Sequence, residues 1–347
     1  MFYPLIRKIL FQFDPEFVHH WTLRLIGLAG DISPIAAMLR WAYRTPSLPV
    51  HLFGLTFENP VGLAAGYDKD ATAWRGLACL GFGHIEVGTV TLYPQTGNPK
   101  PRLFRIPEAK AVINRMGFPG QGADFVAKNL RLPKPQGLVL GVNLGKNKAT
   151  PNEEAAKDYL ALMDIFSPLA DYLVINVSSP NTLGLRQLQA RQALDELLQQ
   201  LIAKRNALST SQKYTPLLVK LAPDLNDHEL EDALDVLLVN QVDGVIATNT
   251  TIQRDGLFPA GLANHPVISQ TGGLSGEPLF SLSLRMVQKI VQRVGDTLPV
   301  IGVGGITNTT QARQMLDAGA KLIQIYTGLI YNGPHFVKEI VYSLLNQ

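Results

Sequence analysis

The chain has 347 residues, 46% apolar and 17% charged, with a formal net charge of +3. That length buries a substantial core as one large domain or two modest ones, and the composition excludes long disorder, collagen-like repeats and a mainly nucleic-acid partner. A single cysteine excludes an intrachain disulfide, the 7 histidines show no metal-ligand spacing, and no metal is expected. No apolar run reaches the ~20 residues that span a bilayer, and no signal peptide is visible.

Residues 1–45 read as short amphipathic helices. Phe2, Leu5, Ile6, Ile9, Leu10 and Phe13 recur at helical spacing and make one apolar face. Asp14-Pro15 reads as the N-cap and first position of a second helix, striped by Phe17, Trp21, Leu25 and Leu28. Ser33-Pro34 repeats the signal before Ile35, Ala36 and Leu39. Two readings fit these helices: a cap packed on the main core, or an interfacial element that lays its apolar face into a membrane or opens an apolar tunnel. Next, residues 45–58 carry a Pro-rich linker and an alternating segment around Gly54, which predicts a small hairpin.

From residue 59, short β-branched runs recur, each ending in Gly, Asn, Thr or Ser. They lie near 60–66, 84–91, 138–145, 172–181, 216–224, 243–250, 299–306 and 321–328. Helical stripes separate them, such as Leu194, Leu197, Leu198, Leu201 and Ile202. Another is Leu230, Ala233, Leu234, Leu237 and Leu238 after an Asn226-x-x-Glu229 capping box. Strands apolar on both faces and alternating with helices imply a parallel sheet. Eight of them predict an α/β fold of the (β/α)8 TIM-barrel type, with an N-terminal helical extension at 1–45 and the barrel at 46–347. A doubly wound open sheet is the rival, but no G-x-G-x-x-G follows the first strand. Insertions follow strand 2 (residues 92–137, with extra strands around RLFRI and AVINRMGF) and strand 6 (residues 251–298). Such insertions sit on the catalytic rim.

Polar residues at strand C-termini face the ligand in this fold. In strand order they are Asp68 and Lys69; Thr89; Asn143 and Lys146; and Asn176, Ser178, Ser179 and Asn181. The remaining ends give Lys220; Thr248, Asn249 and Thr250; Gly304 and Gly305; and Tyr326 and Thr327. Amides, hydroxyls and lysines dominate, which suits a planar heterocycle with imide and carbonyl edges. It does not suit glycosidic hydrolysis, since no carboxylates are paired. Gly302-Val303-Gly304-Gly305 and Tyr326-Thr327-Gly328 on the last two strands predict a phosphate cradle, hence a phosphorylated cofactor. Lys69 and Lys220 admit three roles: Schiff-base nucleophile of a barrel aldolase, fixed cation beside a flavin or substrate carboxylate, or salt bridge to Asp68 or Asp224. A lipid-binding barrel is the non-enzymatic reading.

The strings GLAAGYDKD, EVGTVT, KPRLFR, INRMGF, GVNLGKNK, INVSSPNTLGLR, VKLAPDL, ATNTT, TGGLSG, IGVGGI and QIYTGL, in this order, resemble the quinone-dependent (class 2) dihydroorotate dehydrogenases. The likeness runs over essentially the whole chain. It implies an enzyme that oxidises dihydroorotate to orotate in pyrimidine (UMP) biosynthesis, with FMN as cofactor and a membrane quinone as final acceptor. It implies FMN contacts from Ala65, Gly66, Tyr67, Asp68, Lys69, Thr89, Asn143, Asn176, Lys220, Thr248, Gly276, Gly305, Tyr326 and Thr327, with Tyr67 engaged only through its backbone. Substrate contacts would come from Lys69, Asn114, Arg115, Met116, Gly117, Phe118, Asn176, Asn181, Asn249 and Thr250. Ser179 would be the catalytic base, with Thr182 a relay member, since Cys79 precedes strand 2 and cannot serve. His19, Arg105 and Tyr326 would flank the quinone head group. The N-terminal helices would hold the enzyme peripherally on the cytoplasmic face of the cell membrane.

Overall fold

The computed structural model describes residues 3–210, 213–262 and 265–346. Three helices lead: α1 (Tyr3–Leu10), α2 (Pro15–Asp31) and α3 (Ser33–Tyr43). Phe2, the first member of the α1 stripe, lies outside the described residues. Asp14 caps α2, its side chain accepting the Phe17 N–H at 2.8 Å ahead of a proline in the first turn. The start of α3 differs from expectation. Ile32 stands at its N-cap without a side-chain bond, and Ser33 is already helical. No single helix among the described residues is long and apolar enough to cross a membrane, and α2 and α3 meet at 105°.

The apolar stripe of α2 does not dock it. Phe17, Trp21, Leu25 and Leu28 are half exposed, whereas Glu16, Leu23, Gly27 and Gly30 are buried. A Cβ on Gly30 would strike the backbone of Gly76, so only glycine permits this approach. Glu16 then pins the helix: its carboxylate accepts from Arg102 at 2.7 and 3.2 Å and from Lys100 at 3.3 Å. Burial raises the Glu16 pKa, but these two cations overcome it and bring it to about 2.

Next come β1 (Val50–Leu52) and β2 (Leu55–Phe57), the expected hairpin. Its turn residues Phe53 and Gly54 have φ of 57° and 73°, as a two-residue connection demands. The barrel begins with β3 (Val61–Leu63) and β4 (His84–Val90). The first insertion then supplies β5 (Leu103–Ile106) and β6 (Ala111–Asn114). The barrel continues through β7 (Val139–Leu144), β8 (Tyr172–Asn176), β9 (Leu217–Leu221) and β10 (Gly244–Ala247). The second insertion supplies β11 (Gly273–Gly276), before β12 (Val300–Val303) and β13 (Leu322–Ile325) finish the chain of strands. Eight parallel strands close in the order β3-β4-β7-β8-β9-β10-β12-β13, with β13 returning to β3. These are the eight runs legible in the sequence.

Of three apolar clusters among the described residues, two belong to the barrel. Leucines of helices such as Arg191–Leu208 and Asp227–Val239 pack on the outside of the barrel, and the Asn226–Glu229 capping box forms as expected. Inside, Phe57, Tyr172, Val174, Leu218, Ile246, Ile301 and Leu322 fill the lumen. The Phe57 ring stands edge-on to His84 at 5.4 Å and plugs the floor. At the opposite end, β6 pairs with β5 on one side and β11 on the other. Both insertions thus contribute to one three-stranded roof over the rim.

Candidate functional site

Between the rim and this roof lies a cavity of about 1140 Å³, its open mouth included. None of its lining residues carries a carboxylate; its titratable side chains are His19, Lys69, Lys220 and Tyr326. Such a pocket is suited to anionic ligands.

Most residues singled out from the sequence converge here. From the FMN set, Ala65, Gly66, Lys69, Thr89, Asn176, Lys220, Thr248, Gly276, Gly305, Tyr326 and Thr327 line the cavity. From the substrate set, Asn114, Met116, Gly117, Phe118, Asn181, Asn249 and Thr250 do so, as do Ser179 and His19. Five do not. Asn143 is fully buried just behind the wall. Asp68 is taken up by its own loop, accepting the Thr72 and Ala73 N–H groups at 2.9 and 2.8 Å. Arg115 points away: its guanidinium lies 4.8 Å over Phe104 and donates to Gln270 at 2.8 Å and to the Pro101 carbonyl at 2.9 Å. Arg105 is directed at α1 and the turn after it, donating to the carbonyls of Leu10, Phe11 and Phe13.

The Tyr67 side chain, which does not line the cavity, is engaged elsewhere. Its buried ring packs edge-on between His19 and Tyr326, 5.3 Å from each. A continuous aromatic path therefore runs from the cavity to α2. The imidazole of His19 has its pKa lowered by burial, and further by Lys69, to about 3, so it is neutral at physiological pH.

Neither lysine forms a salt bridge among the described residues. Lys69 donates to the Gly66 carbonyl at 2.6 Å, and burial lowers its pKa to about 8 against the opposing pull of Asp70. Lys220 makes no hydrogen bond to any described residue, and burial lowers its pKa as well. Neither pairs with Asp68 or Asp224. Asp224 instead receives Arg186 at 2.7 Å, and that guanidinium also donates to the Ser178 carbonyl at 2.9 Å and the Thr250 carbonyl at 2.8 Å. Arg186 thus ties together the loops after β8, β9 and β10. It was visible in the sequence only as the last letter of INVSSPNTLGLR.

An amide network forms the polar wall. Asn143 Oδ1 accepts from Thr89 Oγ1 at 2.5 Å and from Asn176 Nδ2 at 3.1 Å. Asn176 Oδ1 in turn accepts from Ser178 Oγ at 3.0 Å and Asn249 Nδ2 at 3.4 Å. Ser179 stands beside it at 5% exposure, its Oγ accepting the Asn181 N–H at 3.3 Å. Opposite, Gly304 and Gly305 have φ of 125° and 78°, a backbone that only glycine holds easily. A Cβ on Gly305 would meet the backbone of Phe280. Gly276 and Gly328 complete a side-chain-free cradle in the same wall. Sequence reading by strand ends missed Ser275 on the roof strand and Gln324, which sits within the β13 run.

Fold and site together define a (β/α)8-barrel enzyme with its pocket at the C-terminal rim. The family model described as dihydroorotate dehydrogenase matches residues 47–347. The chain is 49% identical to dihydroorotate dehydrogenase (quinone) of Paraburkholderia xenovorans, over 99% of this chain and 98% of the relative. It is 50% identical to the protein of that name in Burkholderia thailandensis, over 99% and 97%. The crystal structure of Eimeria tenella DHODH in complex with ferulenol superposes with a TM-score of 0.86 at 37% identity, covering 97% of this chain and 94% of that one. The chain belongs to the dihydroorotate dehydrogenase family.

Proposed function

We propose that this enzyme oxidises dihydroorotate to orotate for pyrimidine biosynthesis, holds FMN in the rim cavity and passes the electrons to a membrane quinone. The carrying observation is the carboxylate-free cavity in which Ser179, an amide wall, two unpaired lysines and a glycine cradle face one another. The whole-length kinship with quinone-dependent dehydrogenases supports the same reading, and leaves the aldolase alternative without support.

The residues present fit FMN. Gly276, Gly304, Gly305 and Gly328 leave room and backbone N–H groups for a phosphate, and Thr89, Asn176 and Lys220 offer polar contacts for a flavin ring. Bound FMN supplies the two-electron acceptor for the hydride that leaves C6 of the substrate. The protein's own task is the C5 proton. A serine hydroxyl is a weak base in water, so Ser179 acts only where water is excluded and the proton moves on. Ser179 is buried at the pocket wall. The buried Thr182 hydroxyl, three residues on, has no hydrogen-bond partner among the described residues and would serve as the next carrier. Asn114 and Asn181, joined at 3.1 Å, with Asn249 and Thr250, would hold the carbonyl and imide edge, and Lys69 the carboxylate.

Residues 1–45 serve as the docking unit for the cytoplasmic face of the cell membrane, and 46–347 as the barrel. Twelve large apolar side chains from Leu5 to Trp41 are exposed on the three helices and the turns between them: Leu5, Ile6, Ile9, Phe13, Phe17, Trp21, Leu25, Leu28, Ile32, Ile35, Met38 and Trp41. His19, Tyr67 and Tyr326 lead from that surface to the cavity, so the quinone reaches the flavin edge along them. Arg105 acts there by holding the end of α1. The test of the catalytic assignment is Ser179→Ala. It should leave the protein yellow and slow single-turnover flavin reduction by dihydroorotate by about a thousandfold or more. Reduction at the normal rate would remove Ser179 from the mechanism.

A further inference from the structure

Glu86 lies on β4 inside the barrel, one layer below the cavity, and is fully buried. Among the described residues, no positively charged group hydrogen-bonds to it. Its carboxylate accepts from Asn143 Nδ2 at 2.7 Å, Gln324 Nε2 at 2.7 Å and Tyr172 Oη at 3.5 Å. Three strands, β7, β13 and β8, therefore point a donor at one carboxylate.

A carboxylate can only accept, which fixes the sense of everything attached to it. The amide NH2 of Asn143 must face Glu86, so its Oδ1 must face Thr89 and Asn176. Asn176 must then turn its own NH2 toward Asn143, leaving Oδ1 to accept from Ser178 and Asn249. The polarity of the whole amide wall thus descends from one buried anion.

That anion also needs a counter-charge, because an ionised carboxylate at this depth is costly alone. Lys220, on β9, has no hydrogen-bonded partner among the described residues; burial lowers its pKa and Glu86 opposes that shift. Both residues are buried on barrel strands, and Lys220 lines the cavity. Of the other titratable groups packed around them, His84 stays neutral because burial lowers its pKa to about 3, and Tyr172 stays neutral because burial and Glu86 hold its phenol well above 10.

We propose that Glu86 is a positioning residue for both half-sites: it sets the donor and acceptor sense of Asn143 and Asn176, and it is the buried carboxylate that balances Lys220 in the barrel interior. This rests on the cavity being the FMN site. With Glu86 present, Lys220 offers a fixed positive charge that favours uptake of electrons by the ring. Without it, Lys220 sheds its proton at a lower pH.

Glu86→Gln removes the charge and lets either end of an amide face Asn143. Glu86→Asp keeps the charge but draws it back from Asn143 and Gln324. The full-length, flavin-loaded chain is read by the midpoint potential of the flavin against pH and by single-turnover reduction against pH and dihydroorotate concentration. In Glu86→Gln, potential and rate should fall on the alkaline side, the rate by about ten- to a hundredfold relative to wild type. The Lys69 titration near pH 8 is common to all forms and does not produce this difference. In Glu86→Asp the pH profile should stay near that of wild type while half-saturation for dihydroorotate rises several-fold. A Glu86→Gln protein with wild-type potential, profile and half-saturation overturns the proposal. Should that variant not retain flavin, Glu86→Asp decides alone, and unchanged half-saturation overturns it. A colourless wild-type protein would instead overturn the FMN reading beneath.

Discussion

Lys69 shows how burial turns a side chain into a functional statement. Its pKa near 8 means that the cation proposed to hold the substrate carboxylate is lost as pH rises through that value. Half-saturation for dihydroorotate should therefore be flat from pH 6 to 7.5 and rise by up to about tenfold between pH 8 and 9. A constant value across that span would show that Lys69 does not bind the carboxylate. The residue types at strand ends were readable because those ends are polar stops in apolar runs, as at Asn176 and Thr248. Glu86 and Gln324 were not, because each sits within a run (HIEVGTV, LIQI) that satisfies every rule for a buried strand. Only the closed barrel, which puts them face to face, explains a charge there. Arg115 shows a different limit: its motif is in place, but motif letters do not say where a long arginine stem carries its head, here over Phe104 and to Gln270.

At the scale of elements, α2 is held by what its helical stripe does not contain. Glycines give it close contact, and one carboxylate gives it register. Glu16→Ala leaves the buried Arg102 with the Thr96 and Asn98 carbonyls only. The expected loss is about 3 kcal/mol, at the lower end for a broken buried pair, read as a shift of the denaturant midpoint. A shift below about 1 kcal/mol would show that the glycine face suffices. The sign with pH follows from the depressed carboxylate: its contribution is full above the unfolded value near 4.5 and is lost as pH falls through about 2. The same geometry bears on the two readings left open for these helices. Periodicity shows that a helix has an apolar face; it does not show which way that face turns, and here Gly27 and Gly30 take the inward side. The hairpin and the capping box, by contrast, are local chemistry, and so were legible.

For the whole molecule, the consequence of that outward turn is a surface that water should reject. Leu25→Ser combined with Trp41→Ser should weaken association with anionic lipid vesicles by about tenfold or more, while flavin content and flavin reduction by dihydroorotate stay unchanged. Vesicle binding equal to that of the parent would place the membrane contact elsewhere. The barrel was legible from one chain because eight runs with polar stops admit few closed arrangements. The roof was not, because the pairing of β6 with β11 joins Asn114 to Gly273 across most of the barrel, and nothing local in TGGLSG announces its partner. That pairing carries a lesson for descent and for engineering. A roof stitched from two excursions behaves as a single inherited part: a chimera with relatives joined anywhere between those strands would marry halves never selected together, so recombination should succeed only when both excursions come from one parent.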